Sequence, residues 1–231
     1  MNFSDFTAFV REVFNDDKGF IILHDPRFIG NERKYLLDAM DSNFVSSVGE
    51  YVGKFEQAIC EYTGSKYAIA AVNGTSALHI CLLLAGVKAD EEVITQPVSF
   101  IATCNAISYT GARPVFVDVD RRTMGMSAEK LEDFLKENAR KGADGFTYNN
   151  KTGRRFAAVV PMHTFGHPCD LDGIVEVCER YNIALVEDSA ESIGSYYKGK
   201  HTGLFGKLSA LSFNGNKMIT TSGGGALVCE T

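Results

Sequence analysis

Lys217 stands in LSFNGNKMITTSGGG, residues 211–225, where almost every neighbour is small or polar. Ser212 lies five positions before it, and glycines occupy 223, 224 and 225. A solvated lysine in a Gly-rich surface loop is the ordinary account of such a stretch. The chemical account is a reactive amine that a flat, phosphate-bearing molecule approaches closely, which small neighbours would permit.

Two further stretches bear on that choice. NGTSA (73–77) is a turn feeding a helix N-terminus, where Gly74, Thr75 and Ser76 can present amides and hydroxyls to an anion that the helix dipole favours. A capped helix after a turn is the plainer reading. There is no G-x-G-x-x-G, and GLFGKLS (203–209) lacks the glycine spacing of a Walker A loop, so a phosphate held here would belong to some other ligand. VEDSAES (186–192) sets Asp188 at the end of an apolar strand, a desolvated position that calls for a cationic partner. A protonated ring nitrogen would serve, and so would an arginine.

Other chemistries find less support. His163 and His167 in HTFGH are separated by a glycine and followed by Pro168, so they do not form a helical pair of metal ligands, and no metal is predicted. No G-x-S-x-G is present, so a hydrolase triad lacks its nucleophile elbow. The net charge of -6 and the lack of a Lys/Arg stripe argue against nucleic acid as a partner. No apolar run reaches membrane-spanning length, and the start MNFSDFTAFVREVFNDD is too acidic for a signal peptide. The six cysteines form no C-x-x-C pair and several sit in apolar stretches, consistent with a cytoplasmic protein.

A phosphate-binding turn, a strand-end Asp and a Ser-x-x-x-x-Lys loop match three handles of pyridoxal 5'-phosphate: its phosphate, its ring nitrogen and its aldehyde carbon. The elements that must position them alternate between strand and helix. Residues 1–30 read as a lead-in with one short helix before an irregular HDPRFIG. A helix follows from Asn31, then a loop SNFVSSVGEYVG, then a helix KFEQAICEYT closed by Gly64. Strands are predicted at KYAIAAV, EEVITQ, RPVFVDVD, RFAAVVPM, IALVED, LSALSF and GALVC. Helices are predicted at NGTSALHICLLLAG, SFIATCNAISYTG, SAEKLEDFLKENARKG with Ser127 as N-cap, and DLDGIVEVCERYN. This alternation predicts a mainly parallel sheet with helices on both faces and ligands beyond the strands' carboxyl ends.

NGTSALH, SFIATCNAI, GARPVFVDVD, EDSAESIGS, LSFNGNK and TTSGGGALV, in this order and spacing, resemble the DegT/DnrJ/EryC1/StrS sugar aminotransferases from about Asn31 to the end. HDPRFIGNERKYLLDAMDSNFVSSVG is similar to members acting on UDP-linked 4-keto-6-deoxy amino sugars in bacterial surface-glycan pathways. The resemblance implies a fold-type I large domain over 31–231, with a C-terminal small domain absent and a homodimer in the full-length protein. It implies that Lys217 forms the cofactor Schiff base and Asp188 pairs with the ring nitrogen. Thr75, Ser76 and Ser212 would contact the phosphate, and Phe100 would stack on the ring. Glu191 stands where many members have Gln. The implied reaction moves an amino group from L-glutamate to C4 of a nucleotide-linked keto sugar. Two alternatives stay open: a dehydratase of the same family, against which Lys217 argues, and a non-catalytic fragment.

Overall fold

The computed structural model describes residues 3–22 and 24–230. Positions 1, 2 and 23 of the predicted lead-in and position 231 of the predicted domain lie outside them. The helices are α1 (Ser4–Phe14), α2 (Glu32–Asp41), α3 (Glu50–Thr63), α4 (Gly74–Leu84), α5 (Ile101–Tyr109), α6 (Ala128–Asn138) and α7 (Leu171–Tyr181). The strands are β1 (Tyr67–Ala71), β2 (Glu92–Thr95), β3 (Arg113–Phe116), β4 (Ala139–Lys141), β5 (Thr147–Asn149) and β6 (Phe156–Val160). They continue with β7 (Ala184–Asp188), β8 (Tyr196–Tyr197), β9 (Lys200–His201), β10 (Leu208–Ser212) and β11 (Gly225–Cys229).

Period-two alternation along the short apolar strands decides the architecture. Val93, Ala158, Val160, Val186 and Ala210 enter one core cluster, while their neighbours Ile94, Val159 and Leu185 enter another. Strands apolar on both faces must be covered on both. Leu78, Cys81 and Leu82 of α4 with Ala106 and Ile107 of α5 cover the first face. Leu131 and Leu135 of α6 with Ile174 and Val177 of α7 cover the second. A third cluster packs Ile59 of α3 against Leu211, Ala226 and Val228.

The resulting seven-stranded sheet runs β1-β11-β10-β7-β6-β2-β3. Strand pairing is parallel throughout from β10 to β3, and β11 alone runs antiparallel to its two neighbours. The carboxyl ends of β1, β2, β6, β7 and β10 therefore meet along one edge. The mainly parallel, doubly covered sheet expected from the alternation is what forms.

Several boundaries differ from the sequence reading. α3 begins at Glu50, a turn earlier than predicted, because extended Gly49 starts it and mid-helix Gly53 sits in open space where its cost of about 1 kcal/mol is tolerated. α6 ends at Asn138 rather than running through ARKG. The Asn138 carbonyl accepts the Asn150 amide at 2.7 Å, and 139–141 pairs with β5 as a hairpin. β3 stops at Phe116, and the rest of RPVFVDVD bends into a turn whose Asp120 Oδ1 accepts the amides of Arg122 and Thr123 at 2.9 Å. The small β8–β9 hairpin was not foreseen. Ser127 does cap α6, accepting the Lys130 amide at 3.2 Å, and Gly64 closes α3 with φ 81.

α1 and α2 bury no residue. Phe3, Phe6, Phe9 and Phe14 of the lead-in and Leu36, Leu37 and Met40 of α2 are exposed, as are Ile80, Leu83 and Leu84 on the outer side of α4.

Candidate active site

β11 acts as a splint between the two strands that carry the phosphate-side residues. Gly225 pairs with Ala71 on one side and with Ser212 on the other, so the turn after β1 lies against the end of β10. The approach is close enough to demand glycine at two positions. A Cβ on Gly225 would lie 2.4 Å from the Asn73 carbonyl carbon, and one on Gly74 would lie 2.8 Å from Ser212 Cβ. Asn73 is extended and its Oδ1 accepts the Ser76 amide at 2.8 Å, capping α4. The amides of Gly74 and Thr75 are left without intrahelical acceptors at the positive end of the helix.

Asp188 ends β7 beside Ala210 of β10, two residues before Ser212. It is 5 % exposed. Oδ2 accepts the Thr103 hydroxyl at 2.6 Å and Oδ1 accepts the Ala190 amide at 3.2 Å. No arginine reaches it among the described residues, so the salt-bridge alternative raised by the sequence is not what forms. Burial pushes its carboxyl above the usual range, outweighing the opposing pull of the Thr103 hydroxyl and the Ala190 amide. Thr103 is a residue that sequence reasoning missed. It sits in the first turn of α5, fully buried, with Ser99 Oγ 2.8 Å from its hydroxyl. Its partner is 85 residues away, and nothing local marks it.

Lys217 Nζ donates to Glu191 Oε1 at 2.9 Å, and the lysine side chain is only 12 % exposed. The amine is thus held inside the fold, not on a solvated loop. Glu191, whose part was ambiguous in the sequence, faces the lysine directly. The Lys217 amide donates to Asn214 O at 3.0 Å, and its carbonyl meets His24 Nε2 from the lead-in.

These groups share one cavity of about 520 Å³. Gly74, Thr75, Phe100, Asp188, Glu191, Ser212 and Lys217 all line it. Ser76 does not: its amide is taken by Asn73 and it sits a step back in the helix. Phe100, N-cap of α5 and 68 % exposed, offers a bare ring to the space. Phe165, Asn214 and Asn216 also line the cavity and were not singled out in the sequence. His163 is fully buried behind the site, with Nε2 3.1 Å from Glu187 Oε2 and Nδ1 accepting the Cys169 amide at 3.3 Å. Nδ1 being an acceptor, the ring proton belongs on Nε2, donated to Glu187. His163 is a structural residue.

Pyridoxal phosphate fits this donor set. The glycines at 74 and 225 let the α4 N-terminus and Ser212 come together at the cavity, where Gly74 and Thr75 can meet a phosphate; the buried carboxylate of Asp188 has an unfilled acceptor direction, and a primary amine faces the same cavity.

Residues 27–231 match the DegT/DnrJ/EryC1/StrS aminotransferase family, beginning slightly earlier than the likeness read from Asn31. The chain is 42% identical over 202 residues to a GDP-perosamine synthase of Caulobacter vibrioides, covering 87% of this chain and 50% of that protein. It is 41% identical over 209 residues to a GDP-perosamine synthase of Escherichia coli O157:H7, covering 90% of this chain and 53% of that protein. An aminotransferase from Psychrobacter cryohalolentis superposes with a TM-score of 0.78 at 33% identity, covering 89% of this chain and 48% of that one. The chain therefore spans about half the length of the curated relatives it matches. The names of the two synthases carry GDP rather than UDP. The aminotransferases of this family use pyridoxal phosphate. On the extent of the match and the identity to its relatives, this chain belongs to the DegT/DnrJ/EryC1/StrS aminotransferase family.

Proposed function

We propose that this chain is the cofactor-bearing part of an enzyme that moves an amino group from L-glutamate to the C4 ketone of a nucleotide-linked 4-keto-6-deoxy sugar, with pyridoxal phosphate held on Lys217. The observation that carries the reading is convergence: a half-buried amine, a buried carboxylate and an open helix N-terminus face one cavity from three separate strand ends. Membership of a sugar aminotransferase family supports the same reaction class.

Each side chain then has a task. The Gly74 and Thr75 amides and the Ser212 hydroxyl would hold the phosphate, with the Thr75 hydroxyl beside them and Ser76 one step behind. Asp188, as a carboxylate, keeps a proton on the ring nitrogen and is itself kept ionised by that charge. Phe100, whose exposed ring lines the cavity, would stack on the cofactor ring. When bound, the cofactor supplies an electron sink for the carbon that loses its proton. Lys217 Nζ, steadied by Glu191 at 2.9 Å, would be the group that holds or moves a proton at this point of the cavity.

The test is chemical labelling. Chain mixed with pyridoxal phosphate and reduced with borohydride should carry the cofactor on the peptide containing Lys217, and Lys217→Ala should carry none. Label on another lysine, or on none, ends this assignment. Incubation of the full-length protein with L-glutamate and either GDP- or UDP-linked keto sugar, read by mass for amine formation, tests the substrate class and decides the nucleotide.

A further inference from the structure

Between β6 and Pro168 the chain makes a short 3₁₀ turn, Thr164–Gly166, and every residue there but one is tied down. His163 is fully buried, and its amide donates to Asp188 O at 3.2 Å. Thr164 is 4 % exposed, donates its hydroxyl to Met124 O at 2.9 Å and accepts from Gln96 Nε2 at 3.2 Å. Gly166 is buried, and a Cβ there would lie 2.7 Å from Glu191 O. Phe165, between them, is 83 % exposed and stands at φ 51, ψ 29, in the left-handed region that bulky residues avoid. A rigid, buried pedestal thus holds one large aromatic ring in the open, in a backbone conformation that works against stability. Such a combination points to a ring kept for contact with a ligand. Phe165 lines the same cavity as Lys217 and Glu191.

We propose that Phe165 is a specificity-determining residue whose ring lies against the apolar face of the substrate's sugar. The inference rests on the functional reading above. Two ligands must visit this cavity, and they differ in what they offer an aromatic face. L-Glutamate brings two carboxylates, which the negative face of the ring disfavours. A 6-deoxy sugar brings a face of C–H groups and a methyl, which the ring favours. Asn214, Asn216 and Glu191 line the same cavity and supply polar groups that suit the hydroxyl edge of the same sugar.

The experiment uses the full-length protein loaded with pyridoxal phosphate, and compares Phe165→Ala, Phe165→Tyr and Phe165→Gly. Phe165→Ala should raise KM for the nucleotide sugar about tenfold with kcat nearly unchanged, while the cofactor's absorbance response to L-glutamate alone keeps its midpoint. Phe165→Tyr should restore the sugar KM. Phe165→Gly should lose sugar affinity like the Ala variant, yet melt about 2 °C higher without cofactor, because glycine accepts the left-handed backbone. A cofactor-loaded Phe165→Ala with an unaltered sugar KM overturns the role of Phe165 and leaves the functional reading standing. So does a sugar KM that changes only in step with loss of subunit association, measured by sedimentation. A wild type that takes up no cofactor overturns the functional reading and this inference together.

Discussion

Glu187 and Asp188 are consecutive acids at the end of one strand, and their side chains leave the sheet on opposite faces into opposite circumstances. Glu187 is fully buried and saturated: Oε1 accepts the amides of Phe205 and Gly206 at 2.7 and 2.6 Å, while Oε2 accepts the Gly203 amide at 2.9 Å and His163 Nε2 at 3.1 Å. Asp188 receives one hydroxyl and one longer amide bond and turns its remaining capacity toward the cavity. Burial pushes both carboxyls up. At Glu187 the His163 bond and the Gly206 and Gly203 amides overcome it, so that acid is held below its usual value; at Asp188 burial prevails. Equal burial therefore says little about a carboxylate's purpose. The count of donors it already has says more: a satisfied buried acid holds the fold together, and an under-satisfied one facing a cavity awaits a cation.

The largest effect should come from Asp188→Asn. Removing the charge that pairs with the ring nitrogen should lower turnover by at least about 10²-fold, read as amine formation on the nucleotide sugar. The same change should leave the cofactor-free chain as stable as wild type, or more so by up to about 1 kcal/mol at neutral pH. The sign follows from the raised carboxyl: wild type loses stability as pH climbs from the unfolded Asp value of about 3.9 through the higher folded value, and Asn removes that slope. A destabilised Asp188→Asn would mean that Asp188 belongs with Glu187 as a structural acid.

Glu187→Gln should do the reverse. A glutamine turns an NH₂ toward backbone N–H groups that need an acceptor, at a cost of about 3 kcal/mol and a fall in melting temperature of roughly 6–12 °C. Because the Glu187 carboxyl is held down, its contribution is present above the unfolded Glu value of about 4.3 and disappears as pH falls through the folded value. Melting curves across acidic pH should show this limb in wild type and not in Glu187→Gln. A Glu187→Gln chain that melts normally but fails to bind cofactor would dissolve the division between the two acids.

The sequence marks these residues unevenly, for physical reasons. Asp188, Lys217 and the NGTSA turn are legible because a charge at an apolar strand's end, an amine among small residues and a turn before a helix are local oddities. The doubly covered sheet is legible because strand and helix alternate and each is strongly apolar. Thr103 is not, since a threonine in the first turn of a helix is unremarkable until β7 brings Asp188 to it. Phe165 is hidden for a similar reason: HTFGH shows an aromatic beside a glycine, and only the fold reveals that its neighbours are buried while it is not. Ser76 shows what residue type and place leave out. Its type and place suggest a phosphate ligand, but the Asn73 side chain claims its amide. The helix ends at 49–50 and 138–139 were misplaced because long-range partners, not local propensity, set them.

The finest test of the two-acid comparison is Thr103→Val, which keeps shape and volume while removing a donor from Asp188. Thr103 is fully buried and its hydroxyl lies 2.6 Å from Oδ2, so no water replaces it easily. If donor count sets the role of each acid, taking one from the poorer of the two should push the Asp188 carboxyl higher still and loosen its orientation. A hydrogen bond to a charged group contributes about 1.5–3 kcal/mol, and part is recovered because Asp188 keeps its cationic partner when the cofactor is bound. Affinity for pyridoxal phosphate, measured by absorbance titration, should fall about five- to tenfold at neutral pH. The pH profile carries the sharper sign. Cofactor binding needs Asp188 ionised, Thr103 helps keep it so, and the acid limb of binding in Thr103→Val should therefore move to higher pH. Melting of the cofactor-free chain should shift little, since without the cation the Asp188 carboxyl can take up a proton. An acid limb that stays in place would show that Thr103 packs against Asp188 without tuning it.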